Sequence, residues 1–182
     1  MTNDVVARIL YKFSNYMRKI IPILIMAFAL LLAGCKPDLT KEIAKLEKQA
    51  FAADGAVTQQ VAERLVDAYC RFATQNPDSQ VSAEYLFKAV DVSMNFDNPQ
   101  KTIGIIDRLL TEYPDYQKTP TSLFLKGFIY ETRFGNFEQA RAAYEKYLEL
   151  YPDGELADDC RASINNLGLT PDELVKMFES QQ

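Results

Sequence analysis

Apolar residues recur at three- and four-residue spacing through the whole chain after Cys35, and no stretch sustains period-two alternation. The pattern predicts helices throughout. Leu39, Ile43, Leu46 and Ala50 stripe the first, which Gly55 is expected to end, and Val61, Leu65, Ala68 and Phe72 stripe the second, up to Pro77. Leu86, Ala89, Val90 and Ser93 carry a third, and Ile103, Ile106, Leu110 and Tyr113 a fourth that Pro114 breaks. A fifth runs through Leu123, Gly127 and Tyr130, and a sixth through Phe137, Ala140, Tyr144, Tyr147 and Leu148 to Pro152. Leu156, Cys160 and Ile164 stripe a seventh, closed by Gly168, and Leu174, Val175 and Phe178 a short eighth. Thr170-Pro171-Asp172-Glu173 opens that last helix with a cap, a proline at its first position and acid in its first turn.

The breaks recur. Asn76-Pro77-Asp78, Tyr113-Pro114-Asp115 and Tyr151-Pro152-Asp153 stand 37 and 38 residues apart, each after an amphipathic helix. Leu86-Phe87 and Leu123-Phe124 fall at the same offsets past the first two prolines, so one supersecondary unit is repeated. Within the last unit Gly135-Asn136 makes the turn, with Asn136 as cap and Gln139 placed to complete a capping box.

In its best unit, Gly127, Tyr130, Gly135, Ala140, Tyr144 and Pro152, the sequence resembles the tetratricopeptide repeat family. The resemblance implies an all-α, right-handed α-solenoid of about eight helices in four hairpins. It also implies a close helix crossing at Gly127 and Ala140, and a Tyr144 that fills the gap against the next hairpin. The departures are one extra residue between Tyr130 and Gly135, a period longer than the usual 34, Thr102 where alanine is expected, and Asp97-Asn98-Pro99 at a turn. The likeness is densest over 121–152, keeps the stripe over 83–114, and is architectural elsewhere.

The N-terminal segment reads as an address. Arg8, Lys12, Arg18 and Lys19 precede a charge-free run from Ile20 to Ala33, whose 14 residues fall short of the ~20 that a membrane-spanning helix needs. Leu32-Ala33-Gly34-Cys35 then resembles the lipobox of bacterial lipoproteins, which implies cleavage before an acylated Cys35. The organisation expected is a signal peptide over 1–34 (its start at Met1 or Met17), a lipidated tether over 35–38 and a repeat domain over 39–182. Lys36 follows the cysteine, so by the same resemblance the outer membrane is favoured, facing either the periplasm or the exterior.

Composition narrows the function. The 182-residue chain is 48% hydrophobic and 25% charged and contains no histidine, which removes the commonest general base and metal ligand. Its formal charge is -5, and the part after residue 34, with 16 basic and 24 acidic residues, carries -8, so nucleic acid is not an expected partner. Glu138, Glu145 and Glu149 form the charged back of the sixth helix, and Asp153 and Glu155 are expected to favour the macrodipole of the seventh. No enzyme activity, cofactor or metal is expected. Cys70 and Cys160, ninety positions apart, are expected to stay unpaired.

What remains is binding. By the resemblance, the first helix of each hairpin lines the concave face. That places Glu84, Phe87, Asp91 and Asn95 in a groove, with Phe124, Phe128 and Glu131 in the matching positions one repeat on. Phe87 and Phe124 would form an aromatic ladder suited to a segment with apolar anchors and basic flanks; alternatively, the extra residue in the fifth helix turns Phe124 into the core. A lipid anchor with such repeats resembles envelope lipoproteins of the β-barrel assembly machinery and of the Tol-Pal system. The expected role is a lipid-anchored scaffold for other envelope proteins or peptides, the alternative a structural module that self-associates without a peptide groove.

Overall fold

The computed structural model describes residues 38–51, 58–96 and 98–179. The signal segment, Cys35, Gly55 and Asp97 lie outside them. Leu39–Gln182 forms one compact unit.

Eight helices are present among the described residues: α1 Leu39–Ala50, α2 Gln59–Gln75, α3 Gln80–Met94, α4 Pro99–Glu112, α5 Thr119–Thr132, α6 Phe137–Leu150, α7 Ala157–Asn166 and α8 Pro171–Glu179. Consecutive helices from α1 to α7 pack on one another, and the fold is an all-α, tetratricopeptide-like solenoid.

The prolines set the cadence. The residue ahead of each is pushed to an extended φ, and Asn76, Tyr113 and Tyr151 share nearly one conformation, φ/ψ of -134/59, -136/59 and -135/60. Each carbonyl then accepts from the N–H three residues on, at Ser79, Tyr116 and Gly154. The carbonyls of those three accept in turn from Ser82, Thr119 and Ala157. In the first two turns a side chain locks the bend: Ser82 Oγ donates to the Asn76 carbonyl at 2.6 Å and Thr119 Oγ1 to the Tyr113 carbonyl at 2.8 Å. The third turn, lacking that hydroxyl, is held by Tyr147, whose hydroxyl accepts from the Leu156 N–H at 3.1 Å.

The stripes bury as the periodicity predicts along most of their length. Ile43, Leu46, Leu65, Leu86, Val90, Ile103 and Ile106 join one core, and Leu123, Ala140, Tyr144, Tyr147 and Cys160 a second. Leu110 and Tyr130 touch both and make the core continuous. Several local expectations are corrected. In α4 it is Leu109 that is fully buried, with Leu110 only partly covered. Phe137 is 46% exposed, because the first residue of α6 lies at the edge of the solenoid, where the turn at Gly168 reaches its ring. Asn136 caps α6 by accepting from the Gln139 N–H at 3.1 Å, but its own N–H goes to the Tyr130 carbonyl, so the capping box is half formed. The full reciprocal box stands at α8: Thr170 Oγ1 accepts from the Glu173 N–H, and Glu173 Oε2 from the Thr170 N–H at 2.8 Å. Helix α7 starts at Ala157, so Asp153 and Glu155 lie in the turn ahead of it and Asp158 and Asp159 supply its first-turn acid.

Candidate functional site

The first helices of the first three hairpins, α1, α3 and α5, lie side by side. Lys88 of α3 reaches Glu47 of α1 at 3.4 Å, and Arg133, following α5, donates to the carbonyl of Phe96, following α3. Three open cavities mark the face these helices form.

Asp91 and Asn95 line the cavity between α1 and α3, about 520 Å³, together with Glu47, Phe51, Tyr69 and Val92. Glu84 borders a second, about 600 Å³, where the start of α3 meets the α4–α5 turn at Tyr113 and Tyr116. Phe128, 41% exposed, borders a third of about 280 Å³ between the end of α3 and the last turns of α5. Of the seven expected groove residues, Glu84, Asp91, Asn95 and Phe128 border these cavities without sharing one, and Phe87, Phe124 and Glu131 line none of the three.

Phe87 and Phe124 are both half-buried, and their rings do not pack on each other. Tyr116, from the α4–α5 turn, lies 6.4 Å from the Phe87 ring, while Phe124 sits 5.5 Å from the buried ring of Tyr144. The two rings thus have separate partners and form no continuous ladder. Glu131 accepts from the Tyr144 hydroxyl at 2.8 Å, which ties this face to the second helix behind it.

The same device occurs two periods earlier, where the hydroxyl of buried Tyr69 donates to Glu47 at 2.7 Å. Burial, and then the neighbouring carboxylate, pushes both phenols well above the usual tyrosine range. Lys88 bridges Glu47 at 3.4 Å and Glu84 at 3.3 Å, above the ring of Tyr85. Burial pulls its ammonium down, but the bonds to the two glutamates outweigh it and leave the pKa raised. Asp91 is pushed up by burial, with Lys118 opposing.

Glu47, Phe51, Tyr69 and Lys88 escape the sequence reading as site residues; the first three belong to the first hairpin, which carries few of the family's marks, and Lys88 to the second. A signal existed: Tyr69 and Tyr144 are separated by two repeat periods and occupy the same position of their units.

Both Cys70 and Cys160 are free, and burial pushes the Cys160 thiol up to about 11. Glu138, Glu145 and Glu149 are exposed. Among the described residues, no group of three or more acidic or cysteine side chains is placed to hold a metal, and no helix is long and apolar enough to cross a membrane.

Residues 121–154 match the tetratricopeptide repeat family. The match spans nearly all of α5, α6 and the turn after it, which is the unit with the close Gly127 crossing. Repeats of this kind present extended surfaces for protein–protein interaction. No curated protein matches the chain.

Proposed function

We propose that this protein is a lipid-anchored scaffold of the bacterial cell envelope, which uses the face of α1, α3 and α5 to grip a segment of another envelope protein. The observation that carries this reading is the open face itself. Phe128, Asp91 and Asn95 stand exposed beside two of the three cavities, on helices that bury their apolar stripes in the core. Exposed aromatics beside clefts are where binding energy concentrates.

The anchor rests on the basic lead-in, the apolar run Ile20–Ala33 and Leu32-Ala33-Gly34-Cys35. A short apolar run followed by a small-residue site is the arrangement of a cleaved export signal. Several acyl chains on Cys35 supply an anchor that an acidic body cannot obtain from anionic lipid. Lys36 beside the cysteine favours the outer membrane.

Cys35→Ala tests the anchor. The variant is expected to leave the membrane fraction and lose labelling by a fatty-acid analogue, and unchanged labelling would overturn that half of the reading. The scaffold half is tested by the proteins that copurify with the full chain. Substituting Phe128 should remove a partner; a self-associating structural module would instead yield only further copies of this chain.

A further inference from the structure

We infer that the cavity between α1 and α3 is a subsite for a basic side chain, an arginine or lysine of the bound segment, received by the Asp91 carboxylate beside Glu47. The inference rests on the reading of the face as a protein-binding groove and names the chemistry of one position in it.

The walls supply the first argument. Glu47 and Asp91 stand on opposite helices, α1 and α3, and Tyr69, Val92 and Phe51 provide apolar surface between and around them. Phe51 is 67% exposed. An apolar lining with carboxylates at its rim matches a side chain that has a methylene stem and a cationic head.

The chain itself supplies the second. Lys88 already places an ammonium against this wall, between Glu47 and Glu84 and 5.4 Å from the centre of the Tyr85 ring. Two carboxylates and an aromatic face are a cation receptor. Lys88 uses Glu47 and Glu84, whereas the Asp91 carboxylate takes no hydrogen bond from any described residue. Only its backbone carbonyl is occupied, by Asn95 Nδ2 at 3.0 Å. The charged groups around the cavity are Glu47, Glu84 and Asp91 against Lys88 and Lys118, leaving an excess of one negative charge. A partner's guanidinium, with its planar fork of donors, can engage Asp91 and the free lone pairs of Glu47 together.

The test uses the full chain in detergent and two fluorescein-labelled amphipathic peptides with identical leucine positions, one with arginine and one with glutamate at the polar positions. Binding is followed by anisotropy. The arginine peptide is expected to bind at least tenfold more tightly than the glutamate peptide. Asp91→Asn should weaken it about tenfold, the effect of losing one charge-assisted contact, and Glu47→Gln, which keeps an acceptor for Tyr69, should weaken it less. Asp153→Asn removes an equal charge from the exposed turn before α7 and should change nothing. Equal losses in Asp91→Asn and Asp153→Asn, or no loss in either, would overturn the inference. The groove reading is separately readable. If an envelope partner is lost with Phe128→Ala while the peptide ignores Asp91→Asn, the subsite fails and the groove stands. If the peptide depends on Asp91 but no envelope protein depends on Phe128, the subsite stands and the groove reading falls.

Discussion

Gly127 lies under the ring of Tyr144, so close that a Cβ on it would meet Tyr144 Cε1 at 2.5 Å. The ring is fully buried and its hydroxyl is fixed on Glu131, so it cannot swing away. Gly127→Ala should therefore cost about 1 to 3 kcal/mol through overpacking, despite the ~1 kcal/mol that alanine gains over glycine inside a helix. Gly104 in α4 supplies the control, since a Cβ there meets nothing within 4 Å. Gly104→Ala should stabilise by about 0.5 to 1 kcal/mol. Urea unfolding of the two variants checks both signs.

The buried phenols predict an alkaline limit. Tyr69 and Tyr144 are held protonated by burial and by the carboxylates they bond. Because their folded pKa values are raised, the stability they contribute is complete below about pH 10, the ordinary tyrosine value, and is lost as pH rises above it. In an ultraviolet titration Tyr69 and Tyr144 should ionise only as the protein unfolds, well above the usual tyrosine range. Replacing both with Phe should remove the late step.

Truncation separates groove from core along α3 and α5. Leu86, fully buried, should cost about 2 to 5 kcal/mol on conversion to Ala. Phe87 and Phe124 are half-covered, by Tyr116 and Tyr144, and should each cost roughly half of the ~3 to 5 kcal/mol of a core phenylalanine. Phe128→Ala, at an exposed site, should stay within about 0.5 kcal/mol of the parent. Thermal melts of the four variants give this order.

The proline turns predict a gain as well as a loss. Thr119→Val removes the hydroxyl bond to the Tyr113 carbonyl, which keeps its bond from the Tyr116 N–H, so the cost should be about 1 kcal/mol. Ala157 holds the matching place in the third turn, and Ala157→Ser, by supplying the missing donor toward Tyr151, should raise the midpoint of unfolding.

Helix existence, order and repeat period were legible because they depend on one-dimensional features. Apolar residues at helical spacing must share a face, and a proline preceded by an extended residue must end a helix, as Asn76, Tyr113 and Tyr151 show. Side-chain fate at the edges was less legible. Phe137 fits the stripe of α6 yet lies at the rim, and Gln139 does not close the box at Asn136, because the Tyr130 carbonyl takes the N–H first. The same limit applies to the candidate site. Glu84, Asp91, Asn95 and Phe128 were placed on the first helices of their hairpins through the resemblance to the repeat family, but the pairing of Glu47 with Lys88 joins α1 to α3 across 41 positions and no local pattern announces it. Tyr116 likewise covers Phe87 from a turn whose path the periodicity does not describe.

The account stands most directly on whether the face of α1, α3 and α5 holds another protein. Quantitative mass spectrometry of the envelope proteins copurifying with the membrane-bound full chain, compared with a Phe128→Ala variant of unchanged melting temperature, measures this. The account predicts at least one protein recovered with the parent and depleted about tenfold or more with the variant, as expected for a binding hot spot. Recovery of the same proteins in the same amounts from both would contradict it.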